Sequence, residues 1–144
     1  MDHMHHIQQL IDSGFRLTAI ESRDTERVIA LFRLLSLKTG KAVYHWAPDQ
    51  GMYRLGAEHV TIPQTTRPRG VLEFIASTIH CGVYLLNEFS AALQDDRDAD
   101  LLKKITSMHE KVSHQVVLLG KSVPLPRTLQ PLAVRVKHAM RLAS

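Results

Sequence analysis

Short, continuous apolar segments alternate along the chain with segments whose apolar residues recur every three or four positions. The continuous segments are 17–20, 42–47, 83–86 and 115–119, and a fifth, 133–137, alternates apolar with basic residues. Strands that are buried on both faces have unbroken apolar runs, and amphipathic helices between them supply the covering layers. Such crossovers are right-handed and return the chain to a parallel strand. The sequence therefore predicts a three-layer α/β sandwich, with a mostly parallel five-stranded sheet and helices on both faces.

The helical segments carry start and stop signals. Asp24 is a predicted N-cap, because its carboxylate can accept a hydrogen bond from an unpaired amide of the first turn. Gly14 and Gly40 are predicted C-caps, since glycine readily adopts the left-handed conformation that ends a helix. The acidic segment 94–100 is predicted to be a loop. The core-facing helical residues are expected to be Ile7, Leu10 and Ile11; Val28, Leu31, Phe32, Leu34 and Leu35; Val71, Leu72, Ile75 and Ile79; and Leu101, Leu102, Ile105, Met108 and Val112.

Two readings stay open for the segment 52–55, which follows a turn signal at 48–51. It is either an extended arm or the second limb of a hairpin, and in both cases Met52 and Tyr53 are expected to be fairly exposed. Tyr44 and Trp46 lie two apart on a strand and therefore share one face. We expect them to pack in the core under the first helix, with a ligand or partner platform as the alternative.

The size and composition favour one domain over residues 1–144, with an ordered core of about 7–137, because the 144 residues are 44% apolar. Crossing a bilayer takes about 20 apolar residues, and no run here approaches that length. The N-terminus lacks a basic region followed by an apolar stretch, so it does not read as a secretory signal. Cys81 is the only cysteine, which fits a reducing cytoplasm, and it is expected to be a small buried side chain.

The net charge of +4 is unevenly distributed along the chain. Acidic residues cluster at 95–100, whereas basic residues alone follow Glu110. A basic surface can bind nucleic acid or an acidic protein face, but this one has little aromatic interleaving for single-strand stacking. A solvated surface is the simpler reading, and nucleic-acid binding stays as an alternative. The basic residues in question are Lys111, Lys121, Arg127, Arg135, Lys137 and Arg141.

The connection after the first strand has none of the features of a phosphate loop. Such a loop reads Gly-x-x-x-x-Gly-Lys-Ser/Thr, where glycines let backbone amides approach phosphate and lysine neutralises it. Here the chain instead reads Glu21-Ser22-Arg23-Asp24-Thr25-Glu26-Arg27, without a glycine. Its carboxylates would repel a triphosphate. The sequence argues against ordinary ATP binding at this position.

The apolar run 83–86 ends at Asn87-Glu88. It resembles the strand that presents the Mg²⁺-binding carboxylate in P-loop ATPases, but Asn87 stands where that Asp would be. Glu88 as a general base would need a positioned substrate, so capping of the following turn by Asn87 or Glu88 is the simpler reading. Gly120-Lys121-Ser122 does not form a phosphate loop, because Val123-Pro124 cannot begin the required helix. The degenerate nucleotide-site positions are Glu21, Ser22, Arg23, Asn87, Glu88 and Lys121.

The nine histidines do not form a metal signature, because they lie on different segments and no HExxH or related spacing occurs. With a single cysteine, a structural zinc site is not expected. The sequence predicts no metal, no cofactor and no catalytic residue.

Several segments together resemble a known family. They are 7–14, 17–22, the helix that starts at 24–27, 43–46 with the turn at Gly51, 83–89 and 116–119. The chain resembles, over roughly 7–137, the N-terminal domain that precedes the catalytic module in a group of AAA-family ATPases, including bacterial (cyanobacterial) and chloroplast members. The resemblance implies a degenerate P-loop-like domain with sheet order 5-1-4-3-2 and no functional nucleotide site. The ATPase module of that family lies downstream.

The sequence thus leads to a hypothesis of a non-catalytic, cytoplasmic, ATPase-like domain that acts through protein contacts. Its partner would be an AAA-type ATPase module, which it would regulate or help to assemble, or a second copy of itself; no membrane partner is expected. Two alternatives remain: nucleic-acid binding through the basic C-terminal third, and a residual nucleotide-binding enzyme that uses Glu88 with Ser22 or Lys121. The expected interaction surface comprises Trp46, Tyr53, Arg127, Arg135, Lys137 and Arg141.

Overall fold

A computed structural model of the chain describes residues 3–79, 81–107 and 114–138. Helices and strands alternate through these ranges, and two short 3₁₀ turns, Ser90–Gln94 and Gln130–Leu132, lie between them. The helices and strands are α1 His3–Asp12, β1 Leu17–Ser22, α2 Thr25–Thr39, β2 Val43–Ala47, β3 Gly51–Arg54, α3 Pro68–Ser77, β4 Gly82–Asn87, α4 Asp96–Thr106, β5 His114–Gly120 and β6 Val134–His138.

The strands form one six-stranded sheet in the order β3-β2-β4-β5-β1-β6. All neighbouring pairs are parallel except β2 and β3. If only the five parallel strands are counted in chain order, their arrangement is 5-1-4-3-2, so the order implied by the family resemblance is confirmed. The sheet has six strands rather than five because 52–55 folds back as the second limb of a hairpin. Positive φ angles at Asp49 and Gly51, 67° and 76°, make that turn tight.

Each face of the sheet is covered by a pair of helices. Side chains alternate along the fully buried strand β5, so that Val116 and Leu118 pack with α3 and α4, whereas Val117 and Leu119 pack with α1 and α2. The predicted three-layer α/β sandwich is therefore confirmed, and it is a P-loop-NTPase-like fold. None of the helices in the described ranges is both long enough and apolar enough to cross a membrane.

The predicted helix caps are confirmed. Asp24 caps the start of α2, and Gly40 ends that helix at a φ of 73°. Gly14, at a φ of 74°, follows α1 in the same left-handed conformation. These ends could be predicted because the caps depend on local chemistry alone.

Two apolar residues assigned to the core are in fact exposed. The buried stripe of α2 is Val28, Phe32 and Leu35, and Leu34 lies about 100° around the helix from Leu35, where it is 43% exposed. α3 ends at Ser77 because Thr78 adopts an extended conformation, which leaves Ile79 beyond the helix and 77% exposed. Met108 and Val112 lie outside the described residues.

The acidic segment 94–100 is mostly helix rather than loop. Asp95 is the N-cap of α4, since its Oδ1 accepts a hydrogen bond from the backbone N–H of Arg97 at 2.9 Å. Acidic residues in a first turn complement the positive end of the helix dipole, which explains their density here. Asp98 is only 7% exposed and accepts a hydrogen bond from Nε of Arg69 at 2.8 Å, which ties α4 to α3.

Expectations about four further side chains were wrong. Tyr44 and Trp46 do share a face, but it is the face covered by α3 and α4, not the one under the first helix. Met52 is fully buried because β3 pairs with β2 and places it opposite Trp46. Cys81 is exposed and lies directly before β4, not within the strand.

Candidate functional site

The six degenerate nucleotide-site positions lie along one edge of the sheet. β5 runs between β4 and β1, with Gly120 opposite Glu21 and Leu119 opposite Asn87. The carboxyl ends of these three parallel strands therefore meet, at the edge where open α/β sheets bind ligands. This carboxyl edge is the candidate site.

The turn from β1 to α2 is too short to surround a phosphate. Only Arg23 and Asp24 separate Ser22, the last residue of β1, from Thr25, the first of α2. The backbone N–H of Asp24 donates to Oγ of the buried Ser22 at 3.0 Å, which tightens the turn further. A phosphate loop needs several residues whose amides converge on one anion, and two residues cannot supply them.

The anion-binding end of α2 is already occupied by a carboxylate of the chain itself. Oδ1 of Asp24 accepts a hydrogen bond from the backbone N–H of Arg27 at 3.1 Å. The unpaired amides of a first helical turn are the groups that would otherwise face a phosphate. The negative charge at the N-terminus of α2 is thus provided by Asp24, a residue of the chain itself.

Glu21 has a structural role in this edge. Its Oε2 accepts hydrogen bonds from the backbone N–H of Val123 at 2.9 Å and from Nη1 of Arg135 at 3.3 Å. One half-buried carboxylate therefore fastens β1 to the segment that leaves β5 and to β6. The sequence did not show this role, because both partners are more than 100 positions away.

Glu88 lies beside Gly120 at the ends of β4 and β5. Its backbone N–H donates to the carbonyl oxygen of Leu119 at 2.8 Å, and its φ is +56°. A Cβ atom at position 120 would lie 3.3 Å from Oε2 of Glu88, so the missing side chain of Gly120 leaves room for that carboxylate. Glu21 and Glu88 thus flank Gly120 on its two sides.

The expected capping role of Asn87 or Glu88 was wrong. No side-chain hydrogen bond caps the 3₁₀ turn Ser90–Gln94. Oδ1 of Asn87 is buried and has no hydrogen-bond partner among the residues that the structure describes. The left-handed backbone of Glu88 already turns the chain, so that a side-chain cap is not needed.

Lys121 and Ser122 are exposed beyond the end of β5. The segment that follows packs Val123 and Leu125 into the core on the α3 and α4 side, and no α helix starts there within the described ranges. As the sequence predicted, Gly120-Lys121-Ser122 is a strand exit and is not joined to the helix that a phosphate loop requires.

The expected core packing of Trp46 is confirmed, and its inclusion in the expected interaction surface was wrong. It is 3% exposed, its Nε1 donates to the carbonyl oxygen of Thr65 at 2.8 Å, and its ring meets Phe89 edge-on at 5.1 Å. The reading as a ligand platform is contradicted by this burial. Tyr53 is half-buried, whereas Arg127, Arg135 and Lys137 are exposed. Arg141 lies outside the described residues.

A polar cluster that the sequence did not predict links β2, β3 and α2. Nδ1 of His45 and the hydroxyl oxygen of Tyr53 are 2.7 Å apart. Burial, and secondarily the positive charge of Arg33, lowers the pKa of His45 to about 4. Arg33 on α2 forms an ion pair with Glu58, which also accepts the backbone N–H of Gly56. The cluster fixes the loop that follows β3 against α2.

Within 3–79, 81–107 and 114–138, no three His, Cys, Asp or Glu side chains are grouped so that they could hold a metal ion. The sequence likewise contains no HExxH or related spacing of metal ligands.

The chain matches the family model for the N-terminal domain of SpoVK-like AAA ATPases over residues 3–138. That range extends from the start of α1 to the end of β6. No curated protein matches the chain.

Proposed function

The chain belongs to the family of SpoVK-like AAA ATPase N-terminal domains, and from that premise we propose that it is a non-catalytic domain that acts through protein contacts. Its partner is an AAA-type ATPase module, which it regulates or helps to assemble, or a second copy of itself. N-terminal domains of AAA ATPases generally mediate interactions with other proteins, which supports a contact role over a catalytic one.

The proposal rests mainly on the short turn before α2 and on the Asp24 cap at the N-terminus of that helix. Catalysis of phosphoryl transfer depends on positioning and on neutralising phosphate charge. Here the two-residue turn offers no cradle, and the Asp24 carboxylate holds the amide of Arg27. A triphosphate would have to displace the Asp24 carboxylate, which is part of the chain and is also negatively charged.

The rest of the carboxyl edge adds to this electrostatic penalty. Glu88 places a further carboxylate beside Gly120 at the end of β4, whereas the Glu21 carboxylate is already paired with Arg135 and with the amide of Val123. Like charges about 4 Å apart repel by about 4 kcal/mol at an effective dielectric constant near 20.

The two alternatives stay predictions with their own tests. Nucleic-acid binding through the exposed Arg127, Arg135 and Lys137 requires an affinity that falls steeply with added salt. A residual enzyme using Glu88 requires an activity that the change Glu88→Gln abolishes. Ser22, its suggested helper, is buried in the turn and accepts the amide of Asp24, which does not favour a catalytic role.

Calorimetric titration with Mg-ATP, together with an assay for released phosphate, tests the non-catalytic part of the proposal. We expect no saturable heat and no turnover, in the native chain and in Lys121→Ala alike. Micromolar binding accompanied by hydrolysis would overturn it. Light scattering then separates the two kinds of partner: a multiple of 16.3 kDa assigns the contact to self-association, and 16.3 kDa itself to a different protein.

A further inference from the structure

Most of the exposed large apolar side chains gather at the edge of the sheet opposite the candidate site. Among the described residues these side chains are Phe15, Leu34, Leu37, Val60, Ile79 and Leu132, with Leu37 and Ile79 the most exposed at 76% and 77%. Single exposed apolar residues are normal on protein surfaces, so each one alone would mean nothing. Their shared position is what calls for an explanation.

Three of them stand directly before parallel strands. Phe15 lies two residues before β1, Ile79 three before β4 and Leu132 two before β6. Because β1, β4, β5 and β6 all run in the same direction, the residues that precede them lie at one edge, which we call the amino edge.

Two further exposed apolar residues, Leu37 and Val60, also lie at the amino edge. α2 begins beyond the carboxyl end of β1 and ends before the amino end of β2, so that Leu37 in its last turn is at the amino edge. β3 runs antiparallel to β2, and the N–H of Leu55 donates to the carbonyl oxygen of Val43 at 2.9 Å. The loop from 55 to 60, which carries Val60, therefore lies at the same edge.

The row follows the whole width of the sheet. With strands about 4.8 Å apart, the distance from β3 to β6 is roughly 24 Å. Exposed apolar side chains therefore occur at both ends and in the middle of this row, and clustered apolar side chains on a surface are typical of interaction sites. Leu34, one turn before Leu37 on α2, extends it along one side.

The charge at the amino edge is mostly positive. Exposed basic residues occupy the end of α2, the start of β2, the end of β3 and the last turn of α4; they are Lys38, Lys41, Arg54, Lys103 and Lys104. The acidic residues described there are Asp12 and Glu58, and Glu58 is already paired with Arg33. A partner that buries the apolar row must therefore face a cationic border.

We propose that the amino edge is a docking surface for an acidic protein segment with an apolar face. The inference rests on the proposed function, because it names the surface and the partner chemistry of a contact domain. A second copy docked through the same edge would bring the five cations of each chain opposite one another.

A random peptide library displayed on phage, selected against the whole chain, tests the inference. We expect enriched peptides that combine Asp or Glu with large apolar residues. A synthesised winner should shift the amide NMR signals of Phe15, Leu37 and Ile79 and leave those of Arg23 and Lys121 unchanged. The double changes Leu37→Ser with Ile79→Ser and Lys38→Glu with Lys41→Glu should each weaken binding by about 10-fold or more. The matched control, Arg23→Glu with Lys121→Glu at the carboxyl edge, should not weaken it.

The inference is overturned by a selection that enriches nothing, by winners without acidic residues, or by variants that bind as well as the native chain. Stronger binding to phosphatidylserine vesicles than to the peptides would assign the edge to membranes and overturn it too. A peptide footprint confined to another surface defeats this inference while leaving a contact role intact. Mg-ATP binding with turnover defeats the proposed function instead, so the two failures are distinguishable. Since the substituted side chains are exposed, circular dichroism should show an unchanged fold in every variant.

Discussion

Oδ1 of Asp24 lies 3.1 Å from the backbone nitrogen of Arg27 and caps the first turn of α2 from within the chain. In a phosphate-binding relative of this fold, the amides at that helix end would face a nucleotide. The same hydrogen bond that stabilises the helix therefore occupies one of these amides. Under the proposed function, this one side chain both stabilises the helix and disfavours nucleotide binding.

Asp24→Ala should destabilise the fold by about 1 kcal/mol, because it removes an N-cap hydrogen bond and a favourable charge at the helix N-terminus. Urea unfolding followed by circular dichroism measures the change. Arg23→Ala, at the exposed neighbouring position, is the control and should stay within about 0.5 kcal/mol of the native chain. Asp24→Ser should recover most of the loss, and equal stabilities for all four proteins would refute the capping role.

Gly70→Ala should destabilise the chain by about 1–3 kcal/mol or more, since it forces a contact that the surrounding backbone must move to relieve. A Cβ atom at this position would lie 2.0 Å from the carbonyl oxygen of Gln64. The loop that would have to shift also carries Thr65, which holds Trp46. Glu73→Ala, exposed on the same helix, is the control. A melting temperature for Gly70→Ala equal to that of the control would contradict the close approach.

Trp46→Ala should cost about 3–5 kcal/mol of stability, as expected when a large buried aromatic side chain is removed. Trp46 is the only tryptophan of the chain, so its fluorescence reports its surroundings directly. We expect blue-shifted emission and weak quenching by acrylamide in the folded protein, and red-shifted, easily quenched emission in urea. Strong quenching under native conditions would show that Trp46 is exposed and would contradict its burial.

Stability should fall as the pH is lowered from about 6.5 towards 4, in part because of His45. Its pKa is 6.5 in the unfolded chain and about 4 in the fold, where burial disfavours the charged ring. The unfolded state therefore binds the proton first, and protonation draws the equilibrium towards unfolding by as much as roughly 3 kcal/mol. Burial also lowers the pKa of His114, which acts in the same direction.

Urea titrations between pH 7 and pH 4.5 measure this loss, and His45→Gln should flatten part of the slope while keeping a hydrogen-bonding partner for the Tyr53 hydroxyl. A slope identical to that of the native chain would show that His45 is not the titrating group. An NMR titration of the His45 ring in the folded protein should show it neutral at pH 6.

Local signals determined much of the fold. The caps at Asp24 and Gly40 and the positions of the parallel strands were predictable, because capping is local and the unbroken apolar runs mark the buried strands. The order of those strands was implied by the family resemblance alone. The burial of Met52 was not predictable, since it depends on a hairpin whose pairing the sequence left open. Trp46 was expected in the core, but not on the face that α3 and α4 cover. Ile79 was assigned to a helix because its spacing suits one, although the backbone leaves the helix at Thr78.

The candidate site was also only partly predictable from the sequence. The residues between Ser22 and Thr25 were enough to predict that no phosphate loop is present. The structural role of Glu21 could not be predicted. Its hydrogen bonds to Val123 and Arg135 join segments that only the folded sheet brings together. The amino edge was likewise hidden, because Phe15, Leu37 and Ile79 are neighbours in the topology and not in the sequence.

The central claim is that the carboxyl edge does not hold a nucleotide, and an NMR titration of the chain with Mg-ATP tests it most directly. We predict that the amide signals of Arg27, Glu88 and Lys121 do not move as Mg-ATP rises to millimolar concentration. Saturable shifts confined to these three amides would contradict the claim.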